Sequence, residues 1–175
     1  DNRMACVVTD DVFAEQDVYT TIFHEFIHCQ QAESCELGLK RQLGVARKAH
    51  EVNEFMWELN HPFPYGSPDF AELYQSFLNQ STLSEIESTR QQIKILLSPH
   101  DYEYMVWQEW KEGFARYIEN IINHRLGLPE NHSGKEPPFS RVTFYEGGAH
   151  FIEILEKQDP ELLTNIEHLF KRMYR

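Results

Sequence analysis

Apolar residues recur at intervals of three and four along most of the chain, a spacing that predicts helices. The first helix is expected to begin near Asp17, the second to cover about residues 39–59, and the longest to begin at Asp101 and end at Gly127. The run ACVVT at residues 5–9 has a β-like pattern. These patterns predict a single, mainly α domain over residues 1–175, with at most a small strand remnant near the N-terminus.

Turn and capping signals divide the helical pattern. Ser67-Pro68 opens a helix with proline at its first position, and Thr82 with Glu85 fits a capping box. The segment PENHSGKEPPFSR is rich in turn-forming residues and predicts a loop after the longest helix. The segment VTFYEGGAHFIEIL is then predicted to be a turn or short strand that leads into a helix.

The motif HEFIH at residues 24–28 lies in the first predicted helix. Residues four apart share a helix face, so His24 and His28 can direct two imidazole nitrogens at one metal ion. Glu25 is rotated by about 100° from His24 and could act as a general base without ligating the ion. The neighbours Phe26 and Ile27 indicate a packed helix, in which unpartnered polar groups would be costly.

A zinc site for hydrolysis needs a third protein ligand. The metzincin spacing does not supply one, because Gln31 and Ser34 occupy its glycine and histidine positions. Glu33 follows His28 by five residues and points about 140° away around the helix. The third ligand is therefore expected from another helix.

Glu112, in the segment WQEWKEGFARY, is the best candidate for that ligand. A glycine inside a helix costs about 1 kcal/mol relative to alanine. Gly113 would justify this cost by letting its helix approach the HEFIH helix closely. From the residues alone, Glu109, Glu51 and Glu54 remain alternatives.

Three segments together resemble the gluzincin metallopeptidases, most closely the aminopeptidase N type. HEFIH matches the zinc-binding motif, WKEGFARY is similar to the W-x-N-E-G-F-A segment that carries the zinc glutamate, and FYEGGA is similar to Y-E-K-G-A. The resemblance implies a zincin-like catalytic domain with one zinc ion held by His24, His28 and Glu112. It also implies that Glu25 is the base and that Tyr145 stabilises the oxyanion.

The chain departs from this family in several places. His28 and Glu112 are separated by 83 residues, far more than is usual, which a helical insert at about residues 39–98 would explain. Gly147 replaces the family's lysine, and the G-x-M-E-N segment that reads a substrate's free amine does not occur in this sequence. The resemblance therefore implies a peptidase without deciding between endo- and exopeptidase.

Two more polar residues lie near the candidate site in sequence. Arg116, one turn beyond Glu112, could bind a carboxylate in the cleft, although a surface ion pair is the simpler expectation. His150, near Tyr145, could assist the oxyanion. Trp107, Trp110 and Phe114 are expected in the core.

The formal net charge is −12, from 28 acidic and 16 basic residues. This balance argues against a nucleic-acid surface and an anionic membrane surface. No apolar run reaches the roughly 18–20 residues of a membrane span, and three cysteines without a CxxC pair form no disulfide framework. A soluble protein is expected, with no membrane insertion. Its first residue is Asp1 rather than methionine, as expected if an upstream leader or domain has been removed.

The expected function is hydrolysis of a peptide or protein substrate by metal-activated water, with one zinc ion as cofactor. The alternative is a non-catalytic, metal-bound regulatory or adaptor module on the same fold, because function belongs to the site and not to the fold. The presence of Glu25 beside a full set of candidate ligands favours the enzyme.

Overall fold

Helices form most of the computed structural model, which describes residues 4–13 and 16–175. The α-helices, in chain order, are α1 (Gln16–Gln31), α2 (Leu37–Lys40), α3 (Gly44–Glu51), α4 (Trp57–Asn60), α5 (Pro68–Asn79), α6 (Leu83–Leu96), α7 (Pro99–Leu126), α8 (Arg141–Gln158) and α9 (Ile166–Tyr174). A π-helical turn, Ala32–Glu36, joins α1 to α2, and 3-10 helices lie at Asp10–Phe13 and Pro160–Thr164. The prediction of a mainly α chain is confirmed.

The strand predicted at residues 5–9 is wrong. Residues 4–9 have no regular secondary structure, and Val7 is 92% exposed. A strand needs a neighbour to pair with its backbone groups, and no strand occurs anywhere in the described residues. The β-like run at residues 5–9 therefore has no strand to pair with among the described residues.

Several predicted helix ends are confirmed. The Ser67 side chain accepts a hydrogen bond from the Phe70 backbone N–H at the start of α5, and Thr82 accepts one from Glu85 at the start of α6. Gly127 ends α7 with φ of 70°, a left-handed conformation that glycine adopts without steric cost. The predicted loop also follows, since residues 128–140 lie outside helices.

Other predicted boundaries are wrong. Ser98, not Asp101, caps α7, because the Ser98 hydroxyl accepts from the Asp101 backbone N–H. The helix predicted for about residues 39–59 is three short helices, interrupted by extended Leu43 and by Asn53 with φ of 58°. The segment VTFYEGGAHFIEIL lies entirely within α8, because its two central glycines serve packing and not a turn.

Helix α7 is the central element, and α1, α3, α8 and α9 pack against it. The predicted core aromatics are confirmed, since Trp107 and Trp110 are fully buried and Phe114 is 3% exposed. All three cysteines are free thiols. Within the described residues, none of the helices is both long and apolar enough to cross a membrane.

Glycines allow α7 and α8 to cross at very short range. A Cβ atom on Gly113 would lie 2.5 Å from the Gly148 Cα, and one on Gly148 would lie 2.0 Å from the Glu109 carbonyl oxygen. Gly113 therefore faces α8, and the prediction that it faces the HEFIH helix is wrong. The close crossing instead fixes the spacing of α7 and α8, which carry Glu112 and Tyr145.

Substituting Gly148 by alanine is expected to destabilise the protein, because the new Cβ atom meets a backbone carbonyl that cannot move aside alone. Overpacking of this kind costs about 1–3 kcal/mol or more. Chemical denaturation should show this loss in the free energy of unfolding. Gly38→Ala is the control, since a Cβ there has no atom within 4 Å. Equal stability of the two variants would contradict the close crossing.

The most buried of the described side chains of helix α1 are polar. They are Thr20, His24 and Gln31. Phe26, predicted to lie on the packed side, is 54% exposed, and its neighbour Phe23 is 39% exposed, whereas Ile27 is half-buried and packs against the core. The prediction of a packed helix is therefore confirmed for Ile27 and wrong for Phe26, and polar groups of the candidate site form most of the buried face of α1.

Candidate metal centre

The two histidines of HEFIH converge on one carboxylate of α7. The Nε2 atoms of His24 and His28 lie 3.5 Å and 3.3 Å from Oε2 of Glu112. One ligand atom from each residue lies within 4.8 Å of the other two. In a tetrahedral zinc site with bonds of about 2.0–2.1 Å, ligand atoms lie roughly 3.3 Å apart. The donor set and its spacing therefore fit a zinc ion.

The alternative carboxylates lie elsewhere. Glu109 is completely buried in an ion pair with Arg90 at 2.7 Å, and it accepts a hydrogen bond from the Tyr74 hydroxyl at 2.8 Å. Glu51 and Glu54 are exposed. In the part of the chain that the structure describes, His24, His28 and Glu112 form the one group of three or more with metal-ligand spacing.

Two residues that the sequence analysis missed orient the histidines. Nδ1 of His24 lies 3.0 Å from Oε2 of Glu119, and Nδ1 of His28 lies 2.9 Å from Oε1 of Gln31. Both oxygens are acceptors, so each imidazole keeps its hydrogen on Nδ1 and directs Nε2 towards Glu112. Such outer contacts commonly contribute about 10–100-fold to metal affinity.

Gln31 is fixed by α7 in turn. Its side-chain nitrogen donates to the backbone carbonyls of Trp110 and Lys111, at 3.3 Å and 3.1 Å. This leaves the amide oxygen facing His28. Helical spacing indicates both orienting residues only weakly. Gln31 follows His28 by three residues, and Glu119 follows Glu112 by seven, so each pair shares one face of its helix.

Without a metal ion, the charges in the site favour a proton shared between His24 and Glu112. Burial lowers the pKa of His24, but hydrogen bonds and charge from Glu112 and Glu119 outweigh it and raise the pKa to about 9. Burial raises the pKa of Glu112, but hydrogen bonds from His24 and His28 outweigh that effect and hold it well below its ordinary value. A metal ion must therefore displace the proton that His24 Nε2 shares with Glu112.

Zinc affinity is expected to increase with pH between the ordinary histidine pKa of 6.5 and about 9. In this window His24 is protonated in the metal-free protein, and zinc binds the neutral imidazole, so affinity rises by up to about tenfold per pH unit. Competition titrations with a chelator of known affinity at several pH values measure this. Glu119→Gln should move the dependence to lower pH, and a flat profile in both proteins would contradict it.

Glu25 lies beside the histidines without joining the ligand set. It is half-buried and lines an open cavity of about 250 Å³ together with His28, Lys111 and residues 4–7. The cavity offers space for water next to the carboxylate. The general-base role of Glu25 stays a prediction.

Tyr145 reaches the site from the first turns of α8. Its ring lies 6.5 Å from the His24 ring, centroid to centroid, and the guanidinium groups of Arg116 and Arg141 lie 5.6 Å and 5.3 Å from its centroid. Burial raises the pKa of Tyr145, and the charge of Glu112 raises it further. The phenol therefore keeps its proton at neutral pH and can donate a hydrogen bond.

The other two polar candidates have different roles. Arg116 is 5% exposed, and its Nη1 donates to the carbonyls of Asn131 and Ser133, so it anchors the loop after α7. Its Nε also lies 3.5 Å from Oε2 of Glu119, so the expected ion pair is present, but it is buried and not at the surface. His150 is five residues after Tyr145 and faces away, with Nε2 2.8 Å from the Gln80 carbonyl oxygen. His150 is therefore not placed to assist an oxyanion.

Compared with protein-family models, curated proteins and solved structures, the chain gives no match. A functional assignment therefore depends on the site itself and on the resemblance of its three motifs.

Proposed function

We propose that this protein is a zinc-dependent metallopeptidase of gluzincin type, in which the helices at about residues 39–98 are an insert in a zincin-like catalytic domain. The observation that carries the proposal is the approach of both HEFIH imidazoles to one oxygen of Glu112, within 3.5 Å. Glu25 on the same helix turn and Tyr145 beside His24 complete the set that hydrolysis requires.

Each residue has a distinct part in the proposed reaction. When bound, zinc would polarise the peptide carbonyl and lower the pKa of its bound water. Glu25 accepts a proton from the attacking water and passes it to the leaving nitrogen. Tyr145 donates a hydrogen bond to the carbonyl oxygen as negative charge develops there. Glu119 and Gln31 hold the two imidazoles in the ligating tautomer.

The test combines metal content with peptidase activity. The purified protein should bind close to one zinc ion by elemental analysis after reconstitution. It should also cleave members of a mixed-sequence peptide library, as detected by mass spectrometry, and a chelator should stop the cleavage. No zinc after reconstitution would overturn the proposal. Zinc binding without cleavage of any library member would favour the non-catalytic module instead.

Tyr145→Phe tests the oxyanion role, because it removes the hydroxyl and keeps the ring beside Arg116 and Arg141. Loss of one oxyanion donor typically lowers kcat by about 10²–10³-fold. Steady-state kinetics should show this decrease while zinc content and Tm stay close to those of the wild type. A fall in Tm with unchanged kcat would mean instead that the hydroxyl is structural.

A further inference from the structure

We propose that Arg141 binds the C-terminal carboxylate of the substrate, one residue beyond the scissile bond. The enzyme would then act on peptides with a free C-terminus close to the bond that is cleaved. This inference rests on the proposed function, because it assigns the substrate class of the same site.

The position of Arg141 determines how far this subsite lies from the candidate metal ligands. It is the first residue of α8, one turn before Tyr145, and its Nη1 lies 3.6 Å from Oε1 of Glu112. The other oxygen of Glu112 faces His24 and His28. The guanidinium group is thus separated from the ligand set by one carboxylate. An extended chain advances about 3.3–3.6 Å per residue, so a group one residue from the scissile carbonyl can reach Arg141.

Arg141 is also available to a ligand in a way that Arg116 is not. Its side chain is 31% exposed, whereas that of Arg116 is 6% exposed and donates to two loop carbonyls. The ion-pair partner of Arg141 in the described residues is Glu112. When Glu112 binds a metal ion, its negative charge would be neutralised there and Arg141 would be free to bind a ligand. The guanidinium carbon lies 5.3 Å from the centroid of the Tyr145 ring, and the planar N–H fork of an arginine matches a carboxylate in two-point geometry.

Because the protein carries a net negative charge, a measured preference for acidic ligands would indicate a local positive group. With a net charge of −12, the field of the whole protein disfavours an added negative group. A general electrostatic effect would therefore favour amidated peptides over free acids. A preference for free acids must come from a local cation, either the bound zinc ion or Arg141, which is more exposed than Arg116 and Lys111.

The experiment is affinity selection on the zinc-loaded Glu25→Gln protein, which should hold zinc without consuming peptide. The probe is an equimolar library of N-acetyl tripeptides in three forms: C-terminal acids of neutral residues, the corresponding amides, and amides that carry one Asp or Glu. Charge-assisted hydrogen bonds of this kind predict enrichment of the acids over the neutral amides by about tenfold or more. Mass spectrometry of the retained fraction measures it.

Two variants show whether Arg141 or another group causes the enrichment of the C-terminal acids. With Arg141→Gln the preference for acids should disappear, whereas it should persist with Arg125→Gln, a substitution of an exposed arginine in the last turn of α7. Equal retention of all forms overturns the inference, as does enrichment that survives Arg141→Gln, which would mean carboxylate binding at zinc. Enrichment confined to amides with Asp or Glu overturns the assignment to the C-terminus.

Hydrolysis by the wild-type protein tests the proposed function separately. Arg141-dependent enrichment without hydrolysis of any peptide would support the carboxylate subsite and overturn the peptidase. Hydrolysis without enrichment would support the peptidase and overturn the subsite.

Discussion

Glu25→Gln is expected to leave zinc bound and to lower kcat by about 10²–10⁴-fold, the usual contribution of a general base. The carboxylate is absent from the group of ligand atoms around Glu112, so its neutral replacement should not change metal affinity much. It lines the cavity next to His28, so in the proposed mechanism loss of its basicity acts directly on the attacking water.

The measurement is kcat together with zinc stoichiometry on the same preparation. Glu72→Gln is the control, because it removes an exposed carboxylate from α5. Activity near the wild-type level in Glu25→Gln would exclude the proposed mechanism. Loss of zinc in that variant would make Glu25 a ligand and require another base.

Glu112→Ala should weaken zinc binding by more than about 100-fold, since residues that merely orient ligands already contribute about 10–100-fold. The substitution also leaves the imidazoles of His24 and His28 without the oxygen that both face. Zinc affinity measured by competition with a chelator should fall, and activity at limiting zinc should fall with it. Glu153→Ala, at an exposed position of α8, should change neither.

Glu109→Ala gives the opposite pattern and distinguishes the two glutamates of α7. Removal of one partner from a buried ion pair costs about 3–5 kcal/mol, because the other charge stays buried alone. Arg90 would be that charge. Stability should therefore fall while the folded fraction still binds zinc with wild-type affinity. Loss of zinc in Glu109→Ala with retention in Glu112→Ala would reverse the ligand assignment.

The sequence was sufficient for the parts of the site that depend on helical spacing. His24 and His28 share a face because they are four residues apart, and the helices around them follow from apolar periodicity. The approach of Glu112 to those histidines agrees with the residue reasoning and with the family resemblance. The residue reasoning alone could not exclude Glu109, because its partners Arg90 and Tyr74 come from α6 and α5 and meet it only after packing.

The misassigned segments have a common physical cause. Gly147 and Gly148 suggest a turn in the sequence, but both lie within α8, where close packing excludes a Cβ atom. A Cβ on Gly147 would lie 2.0 Å from the Tyr74 hydroxyl oxygen. Local propensity cannot distinguish a glycine needed for a backbone conformation from one needed for a close approach. The fold makes that distinction, and Tyr145 consequently lies on a helix.

The small share of α1 in the apolar core, to which Ile27 packs, implies that this helix opens more readily than the rest of the protein. Its buried described side chains are polar, and the large apolar core lies among other helices. Local unfolding of such a segment needs less free energy than global unfolding. A zinc ion shared by α1 and α7 would oppose that opening by mass action, so amide hydrogen exchange in α1 would report metal occupancy while exchange in α7 and α8 would report global stability.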